Sequence, residues 1–183
     1  MKLSPTAERF VLHWGEMGAR WGMNRTVSQI HALLYLSDAP LTADEIVDTL
    51  SVARSNVSTS LKELQAWGLV TVRREFGDRR DHFQAVQDVW QIFQLIVEGR
   101  RHREIDPTLS MLRQSMLDED PQLDSRTRSR IKDVLEFLEL LTGWHDDMKR
   151  LPGPVIKRLL NMGAAVQKVL SKTGKSRQET GQR

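Results

Sequence analysis

The chain of 183 residues contains no cysteine. Disulfides, thiol redox sensing and cysteine-based zinc sites are therefore excluded. No apolar run is long enough for a membrane span and no signal-peptide pattern is present, so no membrane partner and a cytoplasmic location are expected. There is no glycine-rich phosphate loop, no nucleophile motif and no carboxylate pair framed by helix starts, so the sequence gives no support to an enzyme or to a cofactor. The five histidines are scattered, and only His145-Asp146-Asp147 form a local cluster. On a helix those three neighbours point in different directions, so no metal site is expected. A strong charge excess is missing too. The 27 basic residues against 24 acidic ones leave a formal charge of +3, and what matters for partners is where those charges lie. A chain of this length is the size of one domain and buries roughly 70% of its unfolded surface.

What is present is concentrated between residues 41 and 86. Thr42 and Glu45 have the spacing of a capping box, and Asp44 and Glu45 place negative charge at the positive end of the helix that follows. Ile46, Val47 and Leu50 give that helix an apolar face. Ser51-Val52-Ala53 is too short for anything but a turn. A second helix is predicted over 54–67, with Val57, Leu61 and Leu64 on its buried side. Its opposite face carries Ser55, Thr59 and Lys62, flanked by Asn56 and Ser58. A solvated helix face normally alternates Glu and Lys. Short hydrogen-bonding side chains instead suit a helix that base edges must approach closely, although a serine-rich solvent face has the same pattern.

Gly68 can end the second helix in the left-handed region, and the apolar period then changes from 3.6 to 2. Strands are predicted over 69–75 and 82–86, joined by the loop Phe76-Gly77-Asp78-Arg79-Arg80-Asp81. Arg73, Arg74, Arg79 and Arg80 thereby share one projecting ribbon, placed to meet phosphates or a narrow minor groove. The competing expectation is a plain hairpin in which Arg79 and Arg80 pair with Asp78 and Asp81.

The order helix-turn-helix, W-G-L-V, then a ribbon ending in G-D-R-R-D resembles the MarR-type winged helix-turn-helix transcriptional regulators. The phrase G-M-N-R-T-V-S-Q-I-H-A-L-L-Y-L-S (22–37) is similar to the GbsR-like branch. The likeness covers roughly 12–88. It implies a homodimer that binds a pseudo-palindromic operator in double-stranded DNA, with affinity changed by a small-molecule effector or a stress signal. It implies phosphate contacts from Arg73, Arg74, Arg79, Arg80 and Arg54, and base contacts from Ser55, Asn56, Ser58, Thr59 and Lys62. It also places Thr26 and Ser28 near the phosphate backbone. One departure is visible: the residue before the second helix, often a capping Ser in such sequences, is Ala53.

Before and after this region the chain reads as helix. A first helix is predicted over 4–21, capped by Ser4, with Pro5 in its first turn and Phe10, Val11, Trp14, Met17 and Trp21 at helical spacing. A second spans 24–36 with Ile30, Leu33, Leu34 and Tyr35 turned inward, and Pro40 closes the connection. Beyond the ribbon, helices are expected over 89–104, from Pro107 to the Asp118–Pro121 break, over 125–150, and over 155–170. The basic end at Arg100, Arg101, His102 and Arg103 suits either a solvated helix terminus or DNA. Trp14, Trp21, Trp90, Phe93 and Trp144 read either as core or as an aromatic cage for a quaternary ammonium, a ligand type that some GbsR-like proteins are believed to sense.

The expected fold is mainly α with a small β-wing. Residues 1–23 form a dimerisation helix, 24–88 the winged helix, 89–170 a helical dimerisation or effector region, and 171–183 a basic flexible tail. Two functions are carried forward: a homodimeric DNA-binding regulator, most naturally a repressor, and a winged helix used only as a protein-interaction module. An interaction module should show an apolar patch on the second helix or on the wing.

Overall fold

Helix α1 (Pro5–Arg20) begins where the sequence places it, with the Ser4 hydroxyl accepting the Ala7 N–H at 3.3 Å. The Asn24 side chain likewise accepts the Thr26 N–H at 2.8 Å and starts α2 (Arg25–Leu36). These elements belong to a computed structural model that describes residues 2–74, 76–118, 120–156, 158, 159 and 162. The chain divides into two compact units, 1–102 and 103–183.

In the first unit α1 lies on α2. The buried residues of α1 are Val11, Gly15 and Gly18, whereas Trp21 is 60% exposed. The reason is close approach. A Cβ at Gly18 would collide with the Ser28 side chain, and one at Gly15 would lie 2.5 Å from Gln29 Cγ. Two missing side chains draw the helices together and leave the larger rings outside the seam.

On its other side α2 supplies the floor of the domain. Ile30, Leu33 and Leu34 are fully buried and join Ile46, Val57, Leu61, Leu64, Leu69 and Phe83 in one apolar cluster. Each such side chain contributes about 1.5–3 kcal/mol by leaving water. Tyr35 is only half-buried against the same cluster.

A two-residue strand that the sequence pattern does not reveal, β1 (Leu41–Thr42), leads into α3 (Ala43–Leu50). Thr42 also caps α3 with both halves of the capping box present. Its hydroxyl accepts the Glu45 N–H at 3.3 Å, and Glu45 Oε2 accepts the Thr42 N–H at 2.7 Å. These bonds hold the Glu45 carboxyl below its ordinary pKa, the Thr42 backbone bond contributing most. Ser51, in the left-handed conformation at φ 52°, closes α3, and α4 (Arg54–Ala66) follows. Strands β2 (Val70–Arg74) and β3 (Asp81–Ala85) pair antiparallel, with Val72 opposite Phe83 and Arg74 opposite Asp81. β1 adds to the far edge of β3, with Thr42 opposite His82, so the wing is rooted in the helix pair.

Helix α5 (Val89–Arg100) is capped by Asp88, and its Ile92 is buried in the cluster just described. The first unit thus extends past the boundary drawn at 88. Five residues of π-helix, Arg101–Ile105, stand where the sequence reads as continuous α-helix.

In the second unit α6 (Asp106–Leu117) buries Leu109 and Leu112. Asp124 caps α7 (Ser125–Lys149) by accepting the Arg126 and Thr127 N–H groups, and Arg113 of α6 pairs with Glu139 of α7 at 2.9 Å. No residue of α7 is buried. Ile131, Leu135 and Leu138 are half-buried, while Val134, Phe137, Leu141 and Trp144 are 46–61% exposed on a second stripe. Residues 153–156, 158, 159 and 162 are helical; Leu160, Val166 and Val169 of the expected last helix, and the tail 171–183, lie outside the described residues. Among the described residues no helix is long and apolar enough to cross a membrane.

His31 sits within α2 at 4% exposure, its Nε2 without a hydrogen-bond partner among the described residues, and burial lowers its pKa from 6.5 to about 4. The unfolded chain therefore binds this proton first. Stability contributed by neutral His31 is complete above pH 6.5, falls as pH drops toward 4 and then levels. The stability difference between wild type and His31→Leu, from urea unfolding at a series of pH values, should shift by about 3 kcal/mol between pH 7 and pH 4. Thr42→Ala removes the cap of α3 and should cost about 1–2 kcal/mol in the same measurement at pH 7.

Candidate nucleic-acid interface

Helix α4 is fixed on one side and open on the other. Val57, Leu61 and Leu64 are no more than 2% exposed, and Ser60 joins them at 4%. Ser55, Asn56, Ser58, Thr59 and Lys62 are all exposed. The helix starts without a side-chain cap, since Ala53 has none to offer. Its end is a Schellman turn: the Gly68 N–H reaches the Gln65 carbonyl and the Leu69 N–H the Leu64 carbonyl, both at 2.9 Å, with Gly68 at φ 71°.

The wing arginines divide into two groups. Arg80 turns back on its own loop, donating from Nη2 to Asp78 Oδ2 at 2.6 Å, from Nε at 3.0 Å and from its backbone N–H at 2.9 Å. His82 Nε2 lies 3.2 Å from the same carboxylate. The Arg80 guanidinium, then its N–H, hold the Asp78 carboxyl far below the usual carboxylate range. Arg74 pairs with Asp81 at 3.1 Å, and Arg54 on α4 pairs with Asp44 on α3. Arg73 and Arg79 are exposed and, among the described residues, have no acidic partner. The plain-hairpin expectation thus holds for Arg80 but not for Arg79.

Between α4 and the wing runs a groove of about 540 Å³. Ser58, Lys62 and Gln65 form one wall and Arg79 and Arg80 the other, over a floor of Leu61, Val72 and Phe83. The Arg54–Asp44 pair and Asp81 also border it, so its rim is not uniformly basic.

Other expected contacts are distributed differently. Thr26 is half-buried, and Ser28 is buried in the α1–α2 seam at 2% exposure, where no phosphate reaches it. Arg100 donates to the Trp21 carbonyl, and His102 lies 3.1 Å from Glu98, so this basic end is engaged within the chain. Of the aromatic set, Trp90 and Phe93 come together with ring centroids 5.2 Å apart. Trp14 instead stacks on Phe10 at 5.4 Å, Trp21 stands exposed, and Trp144 belongs to the second unit. Sequence reasoning named Asp78 as an arginine partner but passed over the turn it makes. Its bond to the N–H two residues on is an Asx turn, for which Gly77-Asp78 is a recognisable local signal.

Residues 21–81 match the family model described as MarR family. The chain is 25% identical over 138 residues to the HTH-type transcriptional repressor GbsR of Bacillus subtilis (strain 168), covering 72% of this chain and 75% of that one. It is 21% identical over 140 residues to the putative HTH-type transcriptional regulator YvaV of the same organism, covering 72% and 79%. In fold it is similar to a transcriptional regulator solved by crystallography, with TM-score 0.63, 18% identity, and coverage of 79% of this chain and 95% of that one. The helix pair, the rooted three-stranded wing and these likenesses agree: the chain has a winged helix-turn-helix fold, its residues 21–81 match the MarR family model, and it is similar to the repressor GbsR.

Proposed function

We propose that this chain is a sequence-specific DNA-binding transcriptional regulator that acts as a homodimer in the cytoplasm, with α4 in the major groove and the wing beside it. The observation that carries the proposal is the outward face of α4, which is exposed along Ser55, Asn56, Ser58, Thr59 and Lys62. Those side chains offer donors and acceptors to base edges with little bulk between backbone and base. Arg73 and Arg79 supply phosphate or minor-groove contacts, and the uncapped first turn of α4 presents N–H groups to a phosphate. Arg54, Arg74 and Arg80 reach DNA only by sharing or exchanging their carboxylate partners.

The dimer reading rests on α7. Val134, Phe137, Leu141 and Trp144 recur at intervals of three and four residues, the seam of a helix that packs on another helix. A second copy would cover this stripe, and two copies of α4 would then read half-sites about 34 Å apart. We read the second unit as the dimerisation region on this ground. Repression, by occluding a promoter, follows the relative GbsR, which is a repressor. For a small-molecule effector, the paired rings of Trp90 and Phe93 are the candidate contacts, with Trp14, Trp21 and Trp144 as the remaining members of the proposed aromatic set.

The protein-interaction alternative is favoured by one observation: Val72 and Phe76 are exposed apolar side chains on the wing. Two side chains fall short of the several hundred Å² that mark a docking patch, and α4 adds no apolar residue to them.

Selection from a random pool of duplex DNA, in low and moderate salt, should recover a palindrome with half-sites about one turn apart; recovery of no sequence would refute the reading. In titrations on the selected duplex, Arg79→Ala should weaken binding to all sequences and lower the salt slope by about 1. Asn56→Ala should instead change the preferred base at one position, at about 1–3 kcal/mol. Sedimentation of Phe137→Glu should show a monomer that keeps the wild-type helix content.

A further inference from the structure

Helix α5 lies on the winged helix by one face, Ile92, Leu95, Ile96 and Gly99, at the i, i+3, i+4, i+7 spacing of a packing stripe. Ile92 is buried and Leu95 and Ile96 pack against the same cluster. The fourth member has no side chain, and the indole of Trp67 occupies its place. A Cβ at Gly99 would lie 2.6 Å from Trp67 Cε3 and 2.8 Å from Cζ3. Gly99 is helical and not in the left-handed region, so backbone conformation does not call for glycine there. The ring does.

Trp67 is the C-cap of α4, and Gly68 beside it faces Leu95. We propose that the Trp67–Gly99 contact is the joint that holds the C-terminal end of α4 against α5 and so sets the angle at which the outward face of α4 meets DNA. Trp67 and Gly99 are positioning residues; neither needs to touch a base. The lever is long enough to matter. Asn56 stands about 16 Å along the helix from Trp67, so a tilt of about 10° at the joint moves it by roughly 3 Å, as much as a hydrogen bond is long. Contacts to phosphates, made by long side chains, tolerate such a shift; base contacts do not.

This inference rests on the DNA reading proposed above, and its test separates the two. Gly99→Leu is made in the full chain, in the wild-type and Trp67→Ala backgrounds, and the ratio of affinities for the selected operator and an unrelated duplex is measured. In the wild-type background the ratio should fall about tenfold, with binding to the unrelated duplex within about twofold; without the ring it should change less than about twofold. Amide exchange at Gly68 and Leu69, which close the end of α4, should accelerate in Gly99→Leu alone. Equal losses in both backgrounds, or no loss in either, would overturn the joint. Should Gly99→Leu fail to fold, Gly99→Ala runs the same cycle with a loss of about threefold expected. If the wild-type chain prefers no duplex over another, the DNA reading fails by itself, and unchanged amide exchange then overturns the joint independently.

Discussion

The burial of Val57, Leu61 and Leu64 beneath α4, on a floor of Ile30, Leu33 and Leu34, is the interaction that the rest of this structure depends on. It fixes one side of α4 and thereby decides which side is left over. Because these three positions recur at helical spacing, Ser55, Asn56, Ser58, Thr59 and Lys62 have nowhere to go but outward. The free energy for presenting a polar face thus comes from the apolar one. The polar residues take no part in that packing and stand exposed.

A second constraint keeps the wing beside that face. Thr42 takes part in two structures at once, as the cap of α3 and as a strand partner of His82. Asp78 then gathers Arg80 and His82 at the tip. An exposed ion pair is worth little by itself. The Arg80 guanidinium and N–H, with His82, nevertheless converge on one carboxylate beside a strand ladder and fix where the loop sits. Arg80 thus helps to shape the wing, whereas the adjacent Arg79 is exposed and has no acidic partner among the described residues.

Much of this was legible in the sequence because it is local. The Ser4 cap, the Thr42–Glu45 box, the missing cap at Ala53, the end at Gly68 and the two strands of the wing each depend on residues a few positions apart. What was not legible depends on residues far apart in the chain. β1 is two residues long and is a strand only because β3 lies beside it. The seam between α1 and α2 was hidden because Gly15 and Gly18 pack by their lack of side chains, which an apolar count does not register. Ser28 was placed near phosphate by resemblance and is buried by the same seam. α7 half-buries Ile131, Leu135 and Leu138 and leaves Val134, Phe137, Leu141 and Trp144 exposed, since a pattern gives the angle of a residue but not which neighbour arrives to cover it.

The central claim is that the outward side of α4, with Arg79 of the wing, is the surface that meets DNA. Backbone amide shifts of the isotope-labelled chain, followed as the selected duplex is added, test it most directly. The account predicts that the largest changes fall on residues 54–62 and on Arg79, with the buried residues of α2 little affected. Changes confined to α6 and α7, with residues 54–62 unmoved, would contradict it.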